Sequence, residues 1–123
     1  MRKRNILFVD DDSSILISAT LFLRYLEHEI IHADSGPKAI ELLNTVPDID
    51  VMFLDLMMPE MDGFEVLRRV RKTHASLPII VQTGVIDDRD LKKAKRLGAN
   101  DLIIKPYTKE EVARLINKHT KKV

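Results

Sequence analysis

Residues 51–63 read V-M-F-L-D-L-M-M-P-E-M-D-G, and this stretch decides the fold. An apolar run, Val51 to Leu54, stops at a single carboxylate, Asp55. Pro59 and the Asp62-Gly63 pair punctuate the chain just after it. A short apolar run bounded by turn residues reads as a buried strand that ends in a loop. Asp55 then sits at the carboxyl end of a central strand, the edge where open α/β sheets bind their ligands.

Working outward, the same grammar recurs. Ile6 to Val9 is an apolar run that ends in Asp10-Asp11-Asp12. Ile30 to Ala33 is a second strand, Ile79 to Thr83 a fourth, and Leu102 to Ile104 a fifth that ends at Lys105-Pro106. Between the strands lie helical spacings. Ile15, Leu16, Ala19, Phe22, Leu23 and Leu26 form one stripe, with Ser13 or Ser14 as its cap. Ala39, Ile40, Leu42 and Leu43 follow Ser35-Gly36-Pro37, and Phe64, Val66, Leu67 and Val70 follow Asp62. Leu91, Ala94 and Leu97 follow Asp87-Asp88, and Gly98 suits the residue after a helix end. Thr108 and Glu111 make a capping box for a last helix carrying Val112, Leu115 and Ile116. Five strands alternating with five helices predict a mostly parallel, doubly wound sheet covered on both faces.

Composition bounds the function. A chain of 123 residues is one domain of ordinary size, and 45% hydrophobic with 32% charged residues is globular. Twenty basic and nineteen acidic residues leave a net charge of +1, which argues against a general nucleic-acid surface. The absence of cysteine excludes disulfides, thiol catalysis and zinc-thiolate sites. No apolar run matches a membrane span, and Ile6 to Val9 is too short for a signal peptide. The expectation is a cytoplasmic protein with no direct nucleic-acid or membrane partner. The basic ends, Arg2 to Arg4 and Lys118 to Lys122, read as solvated termini.

The polar residues collect at one place. In a parallel sheet the ends after strands one, three, four and five share an edge, and they carry Asp10-Asp11-Asp12, Asp55, Thr83 and Lys105. Crowded carboxylates need a compensating charge. Carboxylate and carbonyl oxygens suit Mg²⁺. Asp10, Asp11 and Asp55 supply three negative charges, which one Mg²⁺ and Lys105 neutralise. A neutralised pocket with a carboxylate nucleophile fits aspartyl-phosphate chemistry.

The motifs F-V-D-D-D, D-L-M-M-P-E-M-D-G, V-Q-T-G and I-I-K-P stand in this order over essentially the whole chain. The sequence resembles a receiver domain of two-component response regulators. The resemblance implies a single receiver domain over residues 1–123, with a flavodoxin-like sheet in the order 2-1-3-4-5. It implies that Asp55 accepts a phosphoryl group from a histidine kinase or phosphotransfer protein. Asp10, Asp11, Asp55 and the backbone carbonyl of Met57 would hold Mg²⁺. Thr83 would bind a phosphoryl oxygen, and Lys105 would pair with the phosphoryl group across a cis Lys105-Pro106 bond. Such a domain is a switch rather than an enzyme with a separate substrate. It acts on a downstream effector or an output domain absent from this chain. It is either a stand-alone receiver or a piece of a longer regulator.

Four positions depart from the family's commonest pattern. Leu102 stands where an aromatic switch residue is frequent. Gly84 follows the threonine where alanine is frequent. Met57 and Val85 are apolar where polar residues position an attacking water, which predicts a long-lived aspartyl phosphate. A second apolar row, Ile17, Leu21 and Tyr25, is either buried against a neighbouring helix or a surface for a kinase, a phosphotransfer protein or a second copy.

Three rival functions can be set against this one. A receiver-like module working without phosphate would not need the full set of Asp11, Asp55, Thr83 and Lys105. A zinc hydrolase would use His28 and His32, which match H-E-x-x-H. That chemistry needs a helix, and β-branched Ile30 and Ile31 place the segment in strand two, where residues four apart are roughly 13 Å apart. A flavin-binding protein would need a phosphate-cradling loop in place of an acidic pocket.

Overall fold

Period-two alternation along each strand decides which helices cover which side of the sheet. A computed structural model describes residues 3–84 and 87–120. Its strands are β1 (Asn5–Val9), β2 (Glu29–Ala33), β3 (Val51–Asp55), β4 (Ile79–Thr83) and β5 (Asp101–Ile104). All pairings are parallel, in the order β2-β1-β3-β4-β5. The helices are α1 (Ser13–Tyr25), α2 (Gly36–Thr45), α3 (Gly63–Thr73), α4 (Asp88–Arg96) and α5 (Lys109–Thr120). Ile6, Phe8, Val51, Phe53 and Ile80 point to one face, where Leu16, Ala19 and Leu23 of α1 and Val112, Leu115 and Ile116 of α5 meet them. Leu7, Val9, Met52, Leu54, Ile79 and Val81 point to the other, under α2, α3 and α4. The strand order and the five-by-five alternation match the expectation from sequence. No helix among the described residues is long and apolar enough to cross a membrane.

The helix starts show how local chemistry sets the boundaries. Ser35 caps α2, with a proline in its first turn, and Asp62 caps α3 by accepting from the Glu65 amide at 3.0 Å. Thr108 and Glu111 form the reciprocal box before α5, through bonds of 2.9 and 3.1 Å. At α1 the cap is Asp12, not Ser13 or Ser14. Its extended backbone (φ −92°, ψ 111°) turns the carboxylate back onto the Ser14 amide, and the Ser14 hydroxyl donates to the same oxygen. Gly98 ends α4 at φ +111°, a conformation that L side chains rarely adopt.

One sequence expectation is revised, and one open alternative is decided. Arg4 is not solvated but buried, because the end of α5 lies against it. Its Nε donates to Thr120 Oγ1 at 3.0 Å and its guanidinium also donates to the Thr120 carbonyl. Arg2, Lys121 and Lys122 lie outside the described residues. The row Ile17, Leu21 and Tyr25 is not packed under a neighbouring helix: these residues are 62%, 62% and 69% exposed. The Lys109 ammonium sits 3.9 Å from the Tyr25 ring centroid.

Replacing the buried Arg4 with Met leaves the Thr120 acceptors at the end of α5 without that donor. We expect a loss of about 2 kcal/mol in urea unfolding, with the slope unchanged.

Candidate functional site

Asp10 follows β1 and Asp55 ends β3, and these strands are neighbours with Val9 opposite Leu54. The apolar residues two before each carboxylate, Phe8 and Phe53, are fully buried and stacked with ring centroids 5.1 Å apart. The carboxylates are buried with them, Asp10 at 0% and Asp55 at 3% exposure, while Asp11 faces solvent. One carboxylate oxygen from each of Asp10, Asp11 and Asp55 lies within 4.8 Å of the others. Lys105, just past β5, reaches in: its Nζ is 2.9 Å from Asp10 Oδ2 and 3.5 Å from Asp55 Oδ2. The Lys105-Pro106 peptide is cis, and the Lys105 amide donates to the Thr83 carbonyl at 2.9 Å. Thr83, buried at the end of β4, lines a small cavity with Leu56, Leu91, Ala94 and Leu102. The structure thus brings Asp10, Asp11, Asp55 and Lys105 to one pocket, with Thr83 and Met57 on the same edge.

The electrostatics follow from this crowding. Burial pushes the Asp55 carboxyl up, and the Asp10 charge beside it adds to the effect. The Met57 amide, which donates to Asp55 Oδ1 at 3.2 Å, and Lys105 offset this only in part, leaving Asp55 at about 6. Burial alone would lower Lys105, but its ion pairs with Asp10 and Asp55 hold it above the ordinary lysine range. Asp10 Oδ1 accepts from the Asp12 amide at 2.9 Å. Asp10 Oδ2 is buried and accepts no aligned hydrogen bond, although the Lys105 ammonium is close. A carboxylate oxygen left so and two further carboxylates within reach are a hard, anionic donor set, which fits a divalent cation such as Mg²⁺.

The loop after Asp55 is shaped by a glycine. A Cβ on Gly63 would stand 2.4 Å from the Asp55 carbonyl oxygen and 2.6 Å from Leu56 Cα. The first turn of α3 can therefore close against the end of β3, where the Gly63 amide donates to the Leu56 carbonyl at 3.0 Å. At Gly84 a Cβ would meet nothing within 4 Å, so space does not demand glycine there. Met57 is 69% exposed at the mouth of the pocket, and Val85 lies outside the described residues.

Sequence reasoning missed two polar residues under the pocket, the buried Gln82 and the partly buried Tyr107. Gln82 is fully buried beside Asp55 in the strand register. Its Nε2 donates to the Val9 carbonyl at 3.1 Å, and its Oε1 accepts from the Tyr107 hydroxyl at 2.9 Å. An amide inside an otherwise apolar strand was the signal in the sequence. The H-E-x-x-H segment is no metal site. His28 precedes β2, buried, with Nδ1 accepting from the Arg4 amide at 3.0 Å, and His32 is exposed on the strand itself.

Comparison with known proteins agrees with this geometry. The profile of the family described as the response regulator receiver domain matches residues 6–117. The response regulator SaeR of Staphylococcus aureus is 33% identical over 113 residues, which are 92% of this chain and 49% of that protein. The chain therefore spans about half the length of such relatives. The structure of the Vibrio cholerae chemotaxis protein CheY4 superposes with a TM-score of 0.91 at 26% identity, covering 96% of this chain and 99% of that one. A response regulator receiver domain protein from Clostridium thermocellum superposes with a TM-score of 0.89 at 28% identity, covering 96% and 94%.

The raised Asp55 carboxyl has a sign that can be checked. Its folded-state value, about 6, lies above the ordinary 3.8, so the folded protein holds this proton more tightly than the unfolded chain. The penalty is absent below about pH 4 and complete above about pH 6. In metal-free buffer, Asp55→Asn is expected to raise stability by about 2 kcal/mol at pH 7 and to leave it unchanged at pH 4. Urea unfolding at both pH values checks this.

Proposed function

The chain belongs to the response regulator receiver domain family, and on that footing we propose that it is a phosphorylation-driven switch with Asp55 as its acceptor. The observation that carries this is the pair of buried carboxylates at neighbouring strand ends, with Lys105 lodged between them. A buried ion cluster of this kind is weak support for stability and better understood as a site. The partner is a histidine kinase or a phosphotransfer protein. A cytoplasmic location goes with this reading.

In the transfer, an ionised Asp55 oxygen attacks the phosphorus in line, the bond to the donor's imidazole nitrogen breaks, and the imidazole leaves as a neutral ring once protonated. Phosphoryl transfer needs placement and charge stabilisation more than covalent help. Lys105, now shared between Asp10 and Asp55, moves its ammonium onto a phosphoryl oxygen. The Thr83 hydroxyl takes another, and the Met57 amide, already directed at Asp55 Oδ1, lies beside the acceptor. Asp10, Asp11, Asp55 and the Met57 carbonyl would hold Mg²⁺. When bound, the cation neutralises negative charge on the transferring group. The phosphoryl charge repositions Thr83 and Lys105, and with them the surface of α4, β5 and α5. A downstream effector, or an output domain in a longer protein, reads that surface. The exposed row Ile17, Leu21 and Tyr25 is offered as the place where a kinase, a phosphotransfer protein or a second copy docks.

Intact-mass spectrometry after incubation with Mg²⁺ and a small acyl phosphate tests the acceptor. One phosphoryl adduct is expected, absent in Asp55→Ala and after chelation of the metal, and formed about 10²-fold more slowly in Lys105→Ala. No adduct with any donor would favour the phosphate-independent module. The apolar Met57 beside the acceptor predicts slow hydrolysis. Met57→Asn is expected to shorten the adduct's lifetime severalfold, followed by the decay of that mass.

A further inference from the structure

Four separate segments deliver the pocket's residues, and one buried residue, Gln82, is bonded close to each, through its backbone to the segment of Asp55 and through its side chain to those of Asp10 and Lys105. Gln82 is fully buried in β4, directly before Thr83. Its backbone carbonyl accepts from the Leu56 amide at 3.2 Å, the residue after Asp55. Its side-chain Nε2 passes over β3 to the Val9 carbonyl, the residue before Asp10, at 3.1 Å. Its Oε1 accepts from the Tyr107 hydroxyl, two residues past Lys105, at 2.9 Å. The orientation of the amide is settled by chemistry: a backbone carbonyl can only accept, so the amide nitrogen faces Val9 and the oxygen is left for Tyr107. Val9 belongs to β1 and Gln82 to β4, which are not neighbours in the sheet. The ladder between them runs only through β3, so the side-chain bond is a second, direct tie.

Tyr107 completes the chain from the other side. Its ring packs on Phe8 with centroids 6.5 Å apart, and Phe8 stacks on Phe53. Burial raises its hydroxyl above the usual tyrosine range, and the charges of Asp10 and Asp55 raise it further, so the phenol feels the pocket.

We infer that Gln82, clasped by Tyr107, is a positioning residue that holds Asp10, Asp55, Thr83 and Lys105 in the relative placement phosphoryl transfer requires. Asp55 is taken as the acceptor, as proposed above. Neither residue touches the phosphoryl group. They act by fixing strand ends that would otherwise be related through single ladders and a loop. The need for such a tie is sharpened by Leu102, an aliphatic residue against Thr83 in the small cavity under α4, which brings no polar group to hold the end of β4.

The test measures the rate constant of adduct formation at saturating Mg²⁺ and acyl phosphate, per folded molecule, alongside urea unfolding. The variants are Gln82→Met, Tyr107→Phe and the pair. Gln82→Met is expected to be about tenfold slower, Tyr107→Phe to be slowed less, and the pair to be no slower than Gln82→Met alone. The pair also removes the orphaned hydroxyl and is expected to be more stable than Gln82→Met without regaining its rate. A side chain that only holds the fold together would lower the unfolding midpoint and leave the rate of the folded molecules at that of the parent. That result, or a rate that recovers with stability in the pair, overturns the inference. Should Gln82→Met fail to fold, Tyr107→Phe, which loses one oxygen, decides by the same rate criterion. No adduct on the parent chain would overturn the acceptor assignment and this inference together. A normal parent with unchanged variants overturns this inference alone.

Discussion

Two carboxylates taken out of water on neighbouring strands repel each other, and the single ammonium of Lys105 stands between them. Everything near the sheet's edge answers to that imbalance. β1 and β3 must be adjacent to create it, and the parallel order places the remaining strand ends where they can relieve it. Stacked Phe8 and Phe53 close the floor so that water cannot screen the pair from below. Gly63 lets α3 begin against the backbone of Asp55 and Leu56. A protein selected for stability alone would replace such a cluster with apolar side chains. Such a cluster lies here at the edge where open α/β sheets bind their ligands.

Much of this was legible in the sequence because strands and helices write different periods. Val51 to Leu54, Ile6 to Val9 and Ile79 to Val81 are short, fully apolar and bounded by turn residues, so their ends could be located, and with them Asp10, Asp55, Thr83 and Lys105. What stayed hidden depends on contacts between distant segments. Arg4 looks like part of a basic tail until Thr120, 116 positions away, is folded against it. The Gln82 amide stands out in an apolar strand, but its link to Val9 and Tyr107 exists only when β1, β4 and the loop after β5 are assembled. The cap of α1 stays open in the sequence because Asp12, Ser13 and Ser14 are all good caps, and only the backbone conformation chooses Asp12.

Departures from the family pattern carry information of a different kind. With Leu102 beside Thr83, β5 presents an aliphatic side chain and no phenol to the end of β4. The aromatic hydroxyl nearest the pocket's floor comes instead from the loop after Lys105, where Tyr107 is already engaged with Gln82. At the far end of β5, Asp101 is tied to Lys118 and His119 of α5. Burial works against its ionised form, but those two hydrogen bonds hold its carboxyl down to about 2. Strand β5 and helix α5 are therefore fastened to each other at one end and bear the site's cation and its tyrosine at the other.

The position of each strand in the sheet has a mechanical consequence. β1 and β3, which carry the carboxylates, each have a strand on both sides, whereas β5 is an edge held only by β4. Segments bonded along one side open more readily than those bonded along two. The negative charges are thus mounted on the stiff interior of the molecule and the positive charge on its compliant margin. A change of charge in the pocket therefore bears first on the side of the sheet that is bonded along one edge only.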